Sequence, residues 1–183
     1  FENISATIKP LRKNTEIVFN SDTAAGQVIF PVNNTGILQV NLSKLMLQKS
    51  IENLEQAIDP RNITAVDFSV DQLSLAAKDL GSVSFQVRPE ISGASFNNIS
   101  GNIFGLNPGA FVSEAPTDFF WGYNGEEHLS KLVGPIGLDN IGHFFDTMDM
   151  PSVVDSKSGR LDADIMWQDV PWAVNKTNLE GEL

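Results

Sequence analysis

No cysteine occurs in the 183 residues, so disulfides, thiolate zinc sites, iron–sulfur centres and thiol catalysis are all excluded. Basic residues are scarce. Twelve Lys and Arg stand against 23 Asp and Glu, a net charge of −11. Nucleic acid and anionic membrane surfaces are therefore poor partners, because binding phosphates needs clustered Lys and Arg. No apolar run approaches the roughly 18 residues of a membrane span. Histidine is limited to His128 and His143, and no Gly-x-Ser-x-Gly elbow accompanies them to suggest a nucleophile. Glycine-rich phosphate loops are also missing.

What is present is alternation. Apolar residues make up 42 % and charged residues 19 %, which suits a folded chain. Leu161, Ala163, Ile165 and Trp167 share one parity, with Asp162 and Asp164 on the other, the period of a half-buried strand. Ile4, Ala6 and Ile8 repeat it at the start, Leu38, Val40 and Leu42 after a turn at 33–36, and Phe119, Trp121 and Tyr123 later on. The runs at 26–31 and 38–43 read as a hairpin. Val66, Phe68 and Val70 share a parity that Leu73 and Leu75 do not, so a bulge at Asp71 and Gln72 is expected to keep all five on one face. Gly81 is expected to turn the chain into a strand through Val83, Phe85 and Val87 that Pro89 ends. The segment Gly134 to Gly137 reads as a turn leading into an amphipathic helix near 139–147, with Leu138, Ile141, Phe145 and Met148 on one side. Residues 44–62 read as a loop with one helical turn, stopped by Pro60.

The chain starts without an initiator Met, and both ends are strand-like, down to the closing Leu179 to Leu183. An internal section of a larger, repetitive β protein is expected. Other chemistry is thin. Asp146, Asp149 and Asp155 could supply oxygen ligands to calcium, but the EF-hand pattern is absent, and a solvated acidic surface explains them as well. The pairs Asp67/Asp71 and Asp162/Asp164 have the spacing of a strand's outward face. Phe19, Phe30, Phe68, Phe85, Phe119, Trp121 and Trp167 would line the other face. Periodicity alone leaves open whether that face is a sealed core or an open channel.

Residues 66–81 (VDFSVDQLSLAAKDLG) and 82–89 (SVSFQVRP) resemble a strand running to a Leu-Gly turn and the Arg-ended strand that returns from it, marked here by Leu80, Gly81 and Arg88. After the helical stretch 137–151, residues 159–167 (GRLDADIMW), then Pro171, then Leu179 to Gly181, resemble a recurrent strand, Trp, Pro, Leu-x-Gly succession. These are features of the AsmA-like superfamily, YhdP type. The match is best over 63–183 and looser over 1–62. One departure is Gln168-Asp169, where the family often has Pro-Gly.

The resemblance implies a mainly β fold, a curved and strongly twisted antiparallel sheet forming a hydrophobic groove, with one or two short helices. It implies one section, 1–183, of a periplasmic, inner-membrane-anchored protein of a Gram-negative envelope. Such a protein carries phospholipid between the inner and outer membranes and supports the permeability barrier. It calls for no catalytic residue, metal or cofactor. Its partners would be phospholipid acyl chains and neighbouring sections of the same protein, and the isolated chain could self-associate through its edge strands. The candidate groove residues are Phe68, Val70, Val83, Phe85, Phe119, Trp121, Ile165 and Trp167. The competing reading is a closed β-sandwich acting as a binding or adhesion module.

Overall fold

A computed structural model describes residues 4–32, 36–47, 58–75, 78–103, 105–111, 115–139, 158–173 and 178–182. Twelve strands build one sheet: β1 (Ser5–Pro10), β2 (Asn14–Asn20), β3 (Ala24–Pro31), β4 (Leu38–Leu47), β5 (Val66–Leu75), β6 (Lys78–Glu90), β7 (Gly93–Ile103), β8 (Leu106–Pro108), β9 (Thr117–Tyr123), β10 (His128–Leu138), β11 (Gly159–Trp167) and β12 (Leu179–Glu182). Neighbours in sequence are mostly neighbours in space. β8 and β9 lie end to end in a single position between β7 and β10. β1 and β12 do not pair with each other, so the sheet is open. Among the described residues there is no second sheet facing it, as a sandwich would require.

One junction is parallel. β4 and β5 run side by side in the same direction, with Val40 opposite Phe68 and Leu42 opposite Val70. A parallel pair needs a crossover and cannot be closed by a tight turn. That explains why the alternation stops after Leu47 and resumes only at Val66. The described end of the crossover is a 3-10 turn, Pro60–Asn62, capped by the Asp59 carboxylate, which accepts from the Arg61 backbone N–H at 3.0 Å. Pro60 opens this turn; the helix expected to end there falls in 48–57, outside the described residues.

The phase slips are bulges. The β5–β6 register shifts between Val70 and Leu73, so Val66, Phe68, Val70, Leu73 and Leu75 do share a face. A second slip, unexpected from the sequence, lies at Asn97 and Asn98 in β7, where Asn98 takes φ 54° and its N–H donates to the Asp118 carboxylate at 2.8 Å. Asparagine tolerates that left-handed conformation better than most residues. The slip lets Ala94 and Phe96 face the same way as Ile99 and Ile103.

Three expectations need correction. Gly81 does not turn the chain. It lies inside β6, which begins at Lys78 and already runs antiparallel to β5 there. Its φ of +95° and the Asn102 carbonyl, which a Cβ would approach to 1.9 Å, explain the glycine instead. Pro89 does not end β6, which continues to Glu90. The segment Gly134 to Gly137 is not a turn but the middle of β10, paired along its length with β11. Pro135 is tolerated there for a specific reason. Its carbonyl accepts from Thr117 Oγ1 at 2.7 Å, and in a strand the N–H of a residue points the same way as its C=O. The missing donor thus falls at the break where β9 gives way to β8. The helix expected near 139–147, with Ile141 and Phe145, lies outside the described residues from 140 onward. The carboxylate groups of Asp146, Asp149 and Asp155 and the imidazole of His143 lie outside them too.

Candidate apolar binding face

Lateral register decides which side chains share a face, because residues directly opposite on neighbouring strands point the same way. One row runs Ile8, Ile17, Val28, Val40, Phe68, Phe85 across β1 to β6. The adjacent row runs Ala6, Phe19, Gly26, Leu42, Val70, Val83, Gly101. Beyond the β7 bulge the face continues as Phe96, Phe119, Leu132, Ile165 and, one row over, Ala94, Trp121, Ser130, Trp167. All eight candidate residues therefore lie on one face, as do Phe19 and Phe30.

The aromatic side chains form a line across the sheet. Phe68 stacks on Phe85 with centroids 4.9 Å apart, Phe85 meets Phe96 at 5.7 Å, Phe96 meets Phe119 at 5.6 Å, and Phe119 meets Trp167 at 5.8 Å. Ring pairs at such distances contribute about 0.5–1.5 kcal/mol each beyond the area they bury. Phe96 is the link missing from the sequence-based set. Its parity is out of step with Ile99 and Ile103, and only the Asn97–Asn98 bulge brings it into line.

Cover on this face is uneven. Leu42, Val70 and Val83 are buried by one another and by partly buried neighbours from β2 to β7, among them Phe19, Phe68, Phe85 and Ile103. Phe68, Phe85, Phe119 and Ile165 are only half-buried. Trp121 and Trp167 are 4 % and 6 % exposed, because the turn after β11 folds back over them. Ser130 Oγ donates to the Asp169 carbonyl at 2.9 Å, Trp167 Nε1 donates to the Val170 carbonyl at 3.0 Å, and Trp172 meets Trp121 edge-on at 5.5 Å. The 3-10 turn closes the same strand ends. Pro60 is fully buried against β6, β7 and β9, and the Arg61 guanidinium lies 5.0 Å from the Tyr123 ring centre. Trp121 Nε1 also donates to His128 Nδ1 at 3.1 Å, and His128 stacks on Tyr123. His128 is thus held in an aromatic cluster between Trp121 and Tyr123.

The opposite face carries the ion pairs, interspersed with exposed Val18, Leu129, Val133 and Met166. Asp67 pairs with Arg88 at 2.6 Å, Lys131 with Asp164 at 2.9 Å, Arg160 with Asp162 at 2.6 Å and Lys9 with Glu16 at 3.4 Å. The carboxyl of Asp162 is held below its ordinary range chiefly by its hydrogen bonds from Arg160. A hollow of about 650 Å³ opens near Asn20, Gln27, Asn41, Ser43, Ser69 and Asp71. Most of its lining belongs to this polar side, so it is not continuous with the aromatic line. No cluster of three or more His, Asp or Glu able to hold a metal occurs among the described residues. Nor is any described helix long and apolar enough to cross a membrane.

The family model for the YhdP protein matches residues 1–183, the whole of the chain. No curated protein and no solved structure matches.

Proposed function

Because the chain belongs to the YhdP family, a family of bridge-like lipid-transport proteins of the Gram-negative envelope, we propose that it is one section of a periplasmic bridge that carries phospholipid between the inner and outer membranes. The parent protein would be anchored in the inner membrane and would sustain the outer-membrane permeability barrier. The observation that carries this reading is the continuous apolar face on an open sheet, crossed by the line Phe68, Phe85, Phe96, Phe119 and Trp167. Moving a lipid through water exposes its tails at about 0.8 kcal/mol per CH₂. A greasy strip with polar residues on its back lowers that cost, needs no catalytic group and no cofactor, and would work equally well in either direction. The acyl chains would lie on Phe68, Phe85, Phe119 and Ile165, the candidates that remain half-exposed. Val70 and Val83 would form the floor beneath them.

The test is Phe85→Asp, made both in the 183-residue chain and in the parent protein. A carboxylate at this position is poorly solvated by acyl chains. The chain is expected to remain folded with a lowered melting temperature. Co-purified phospholipid, measured by mass spectrometry, should fall, and the envelope of cells carrying the variant parent should become permeable. Outright unfolding would mark the face as a sealed core. Normal lipid content with an intact barrier would mean the lipid path lies elsewhere.

A further inference from the structure

Same-face neighbours along a strand are two residues apart, so each residue of the apolar face can be judged against the one on either side of it. Phe85 is half-buried between Val83 and Val87, Phe119 between Thr117 and Trp121, and Ile165 between Ala163 and Trp167. All of these flanking residues are buried, between 1 % and 9 % exposed. In β2 and β3 the pattern differs. Ile17 lies between Thr15 and Phe19, and Val28 between Gly26 and Phe30, and none of those flanking residues is buried. The accessible part of the face thus narrows from several rows to a single file. Register carries that file across the strands. Phe96, Phe119, Leu132 and Ile165 lie opposite one another in turn, and one sidestep at the β7 bulge joins them to Phe85.

Same-face neighbours stand only about 7 Å apart along a strand, so a file with buried residues on both sides has room for one alkyl chain and no second row beside it. Its length suits one chain as well. At about 4.8 Å per strand the file from β6 to β11 spans about 19 Å. An acyl chain reaches about 15 Å in a bilayer leaflet, half of a hydrocarbon core of about 30 Å. Resting on the lipid-transfer reading above, we propose that β6 to β11 take lipid one acyl chain abreast. A single unbranched chain lies across the strands along Phe85, Phe96, Phe119 and Ile165, and the second tail of a phospholipid stacks outward on the first. Val87 and Thr117 set the width. Val87 flanks Phe85, and Thr117 flanks Phe119 with its hydroxyl fixed by donation to the Pro135 carbonyl at 2.7 Å. A chain with methyl branches would have to push such buried residues aside, and forcing extra methyl groups into packed apolar surroundings is destabilising. The ligand class read by this stretch is therefore the straight alkyl chain.

Palmitic acid and phytanic acid share a main-chain length and differ in methyl branches, so together they measure the width. Each is titrated, as monomer, into the 183-residue chain by isothermal titration calorimetry. Palmitic acid should bind about tenfold or more tightly than phytanic acid, the discrimination that single methyl-sized differences give in an apolar site. Phe85→Asp should abolish the palmitic acid binding, which locates it on the file. Val87→Ala should widen the file and bring the two affinities together. Thr117→Ser, which keeps the hydroxyl and removes only a methyl group, should do the same at Phe119 and serves if Val87→Ala does not fold. Equal affinities in the unsubstituted chain, both lost in Phe85→Asp, would overturn the one-chain width and leave lipid transfer standing. A preference for palmitic acid that persists in the folded width variants would overturn it too, since the flanking residues would not be what excludes branches. Binding of neither acid would overturn the width and the lipid-transfer reading together.

Discussion

β1 to β3 and β6 to β11 carry the same alternation on the same face, yet they end in different states. In the first region Ile4 and Ile8 are 57 % and 65 % exposed, and Leu11, Phe30 and Val32 are also open. In the second, Val87, Ala94, Trp121, Ile136, Ala163 and Trp167 are buried. The backbone ladders are continuous in β1 to β3 and between β10 and β11, and the bulge in β7 shifts the register without changing the face. Two turns lie over the Trp121–Trp167 end of the second region, and no described segment lies over the first. Alternation tells which way a side chain points, and a covering element decides whether it leaves water. The stability of the sheet is therefore expected to come mainly from the β4–β11 region, with β1 to β3 as an extension of it.

The sharpest way to break this comparison is to place the same charge in both regions. Trp167→Asp removes a large buried ring, orphans the Val170 carbonyl, and leaves a carboxylate beneath the turn with no cation to meet it. A loss of roughly 3–5 kcal/mol is expected, enough to unfold most domains of this size. Ile8→Asp, at an exposed position on the edge strand, should change stability by less than about 0.5 kcal/mol. Urea unfolding of the two variants measures both. Equal losses would mean that β1 to β3 are as deeply integrated as the aromatic region.

Glycine provides the next largest effect, at the seam between the regions. Gly81 in β6 sits opposite Leu73 and Ile103 at φ +95°, and a Cβ there would come within 1.9 Å of the Asn102 carbonyl. Gly81→Ala should cost at least about 1–3 kcal/mol from backbone strain alone, with the β6–β7 clash added. Gly125, at φ +107°, lies in a turn with open space around it. Gly125→Ala should show only the strain component. A matched pair of melting curves distinguishes strain plus clash from strain alone.

How much of this was legible in advance follows from the same physics. The face of every strand with clean parity could be read, as could the bulge at Asp71 and Gln72, because apolar residues on both sides of that slip declare it. β10 could not be read. Its apolar residues are interrupted by Gly134, Pro135 and Gly137, a local turn signal. Only the break between β8 and β9, a tertiary feature, makes Pro135 acceptable in a strand. Phe96 was hidden because its bulge residues, Asn97 and Asn98, look like ordinary polar strand positions. Among the eight candidate residues, the division into covered Trp121 and Trp167 and half-open Phe68, Phe85, Phe119 and Ile165 depends on turns distant in sequence, which parity does not encode. The parallel β4–β5 junction left a trace only as an interval without alternation.

The exposed edge gives a smaller and concentration-dependent effect. Among the described residues β1 pairs on one side only, with β2, and Ile8 projects into water on the apolar face. Open edges of this kind pair with other strands unless a charge or proline prevents it. The 183-residue chain is expected to self-associate at high concentration, and Ile8→Lys should shift it towards monomer in sedimentation velocity without changing its melting temperature. A monomer at all concentrations before substitution would show that Lys9 and Pro10 already protect the edge.

The smallest effect expected is on pH dependence, and it again contrasts two places. The Asp59 carboxyl is held below its ordinary range, first by side-chain hydrogen bonds from Arg61, with the Arg61 backbone N–H and charge adding to it. Asp162 is lowered in the same way by Arg160. A carboxylate with a depressed folded-state pKa contributes stability that is complete above its unfolded value, about 3.9, and is lost as pH falls through the lower folded value. Both pairs are solvent-exposed, so each contribution is small and falls with added salt. The consequences differ by position. Asp59 caps the 3-10 turn that buries Pro60 and sets Arg61 over Tyr123, whereas Asp162 lies on the polar back of β11. Asp59→Asn should lower the melting temperature slightly at pH 7 and not at all near pH 2, and at neutral pH it should raise hydrogen exchange at the amides of 60–63. Asp162→Asn should show the same pH trend in melting with no change in exchange at that turn. If both variants leave exchange at 60–63 untouched, Pro60 packing alone holds the 3-10 turn in place, and the ion pair is incidental to it.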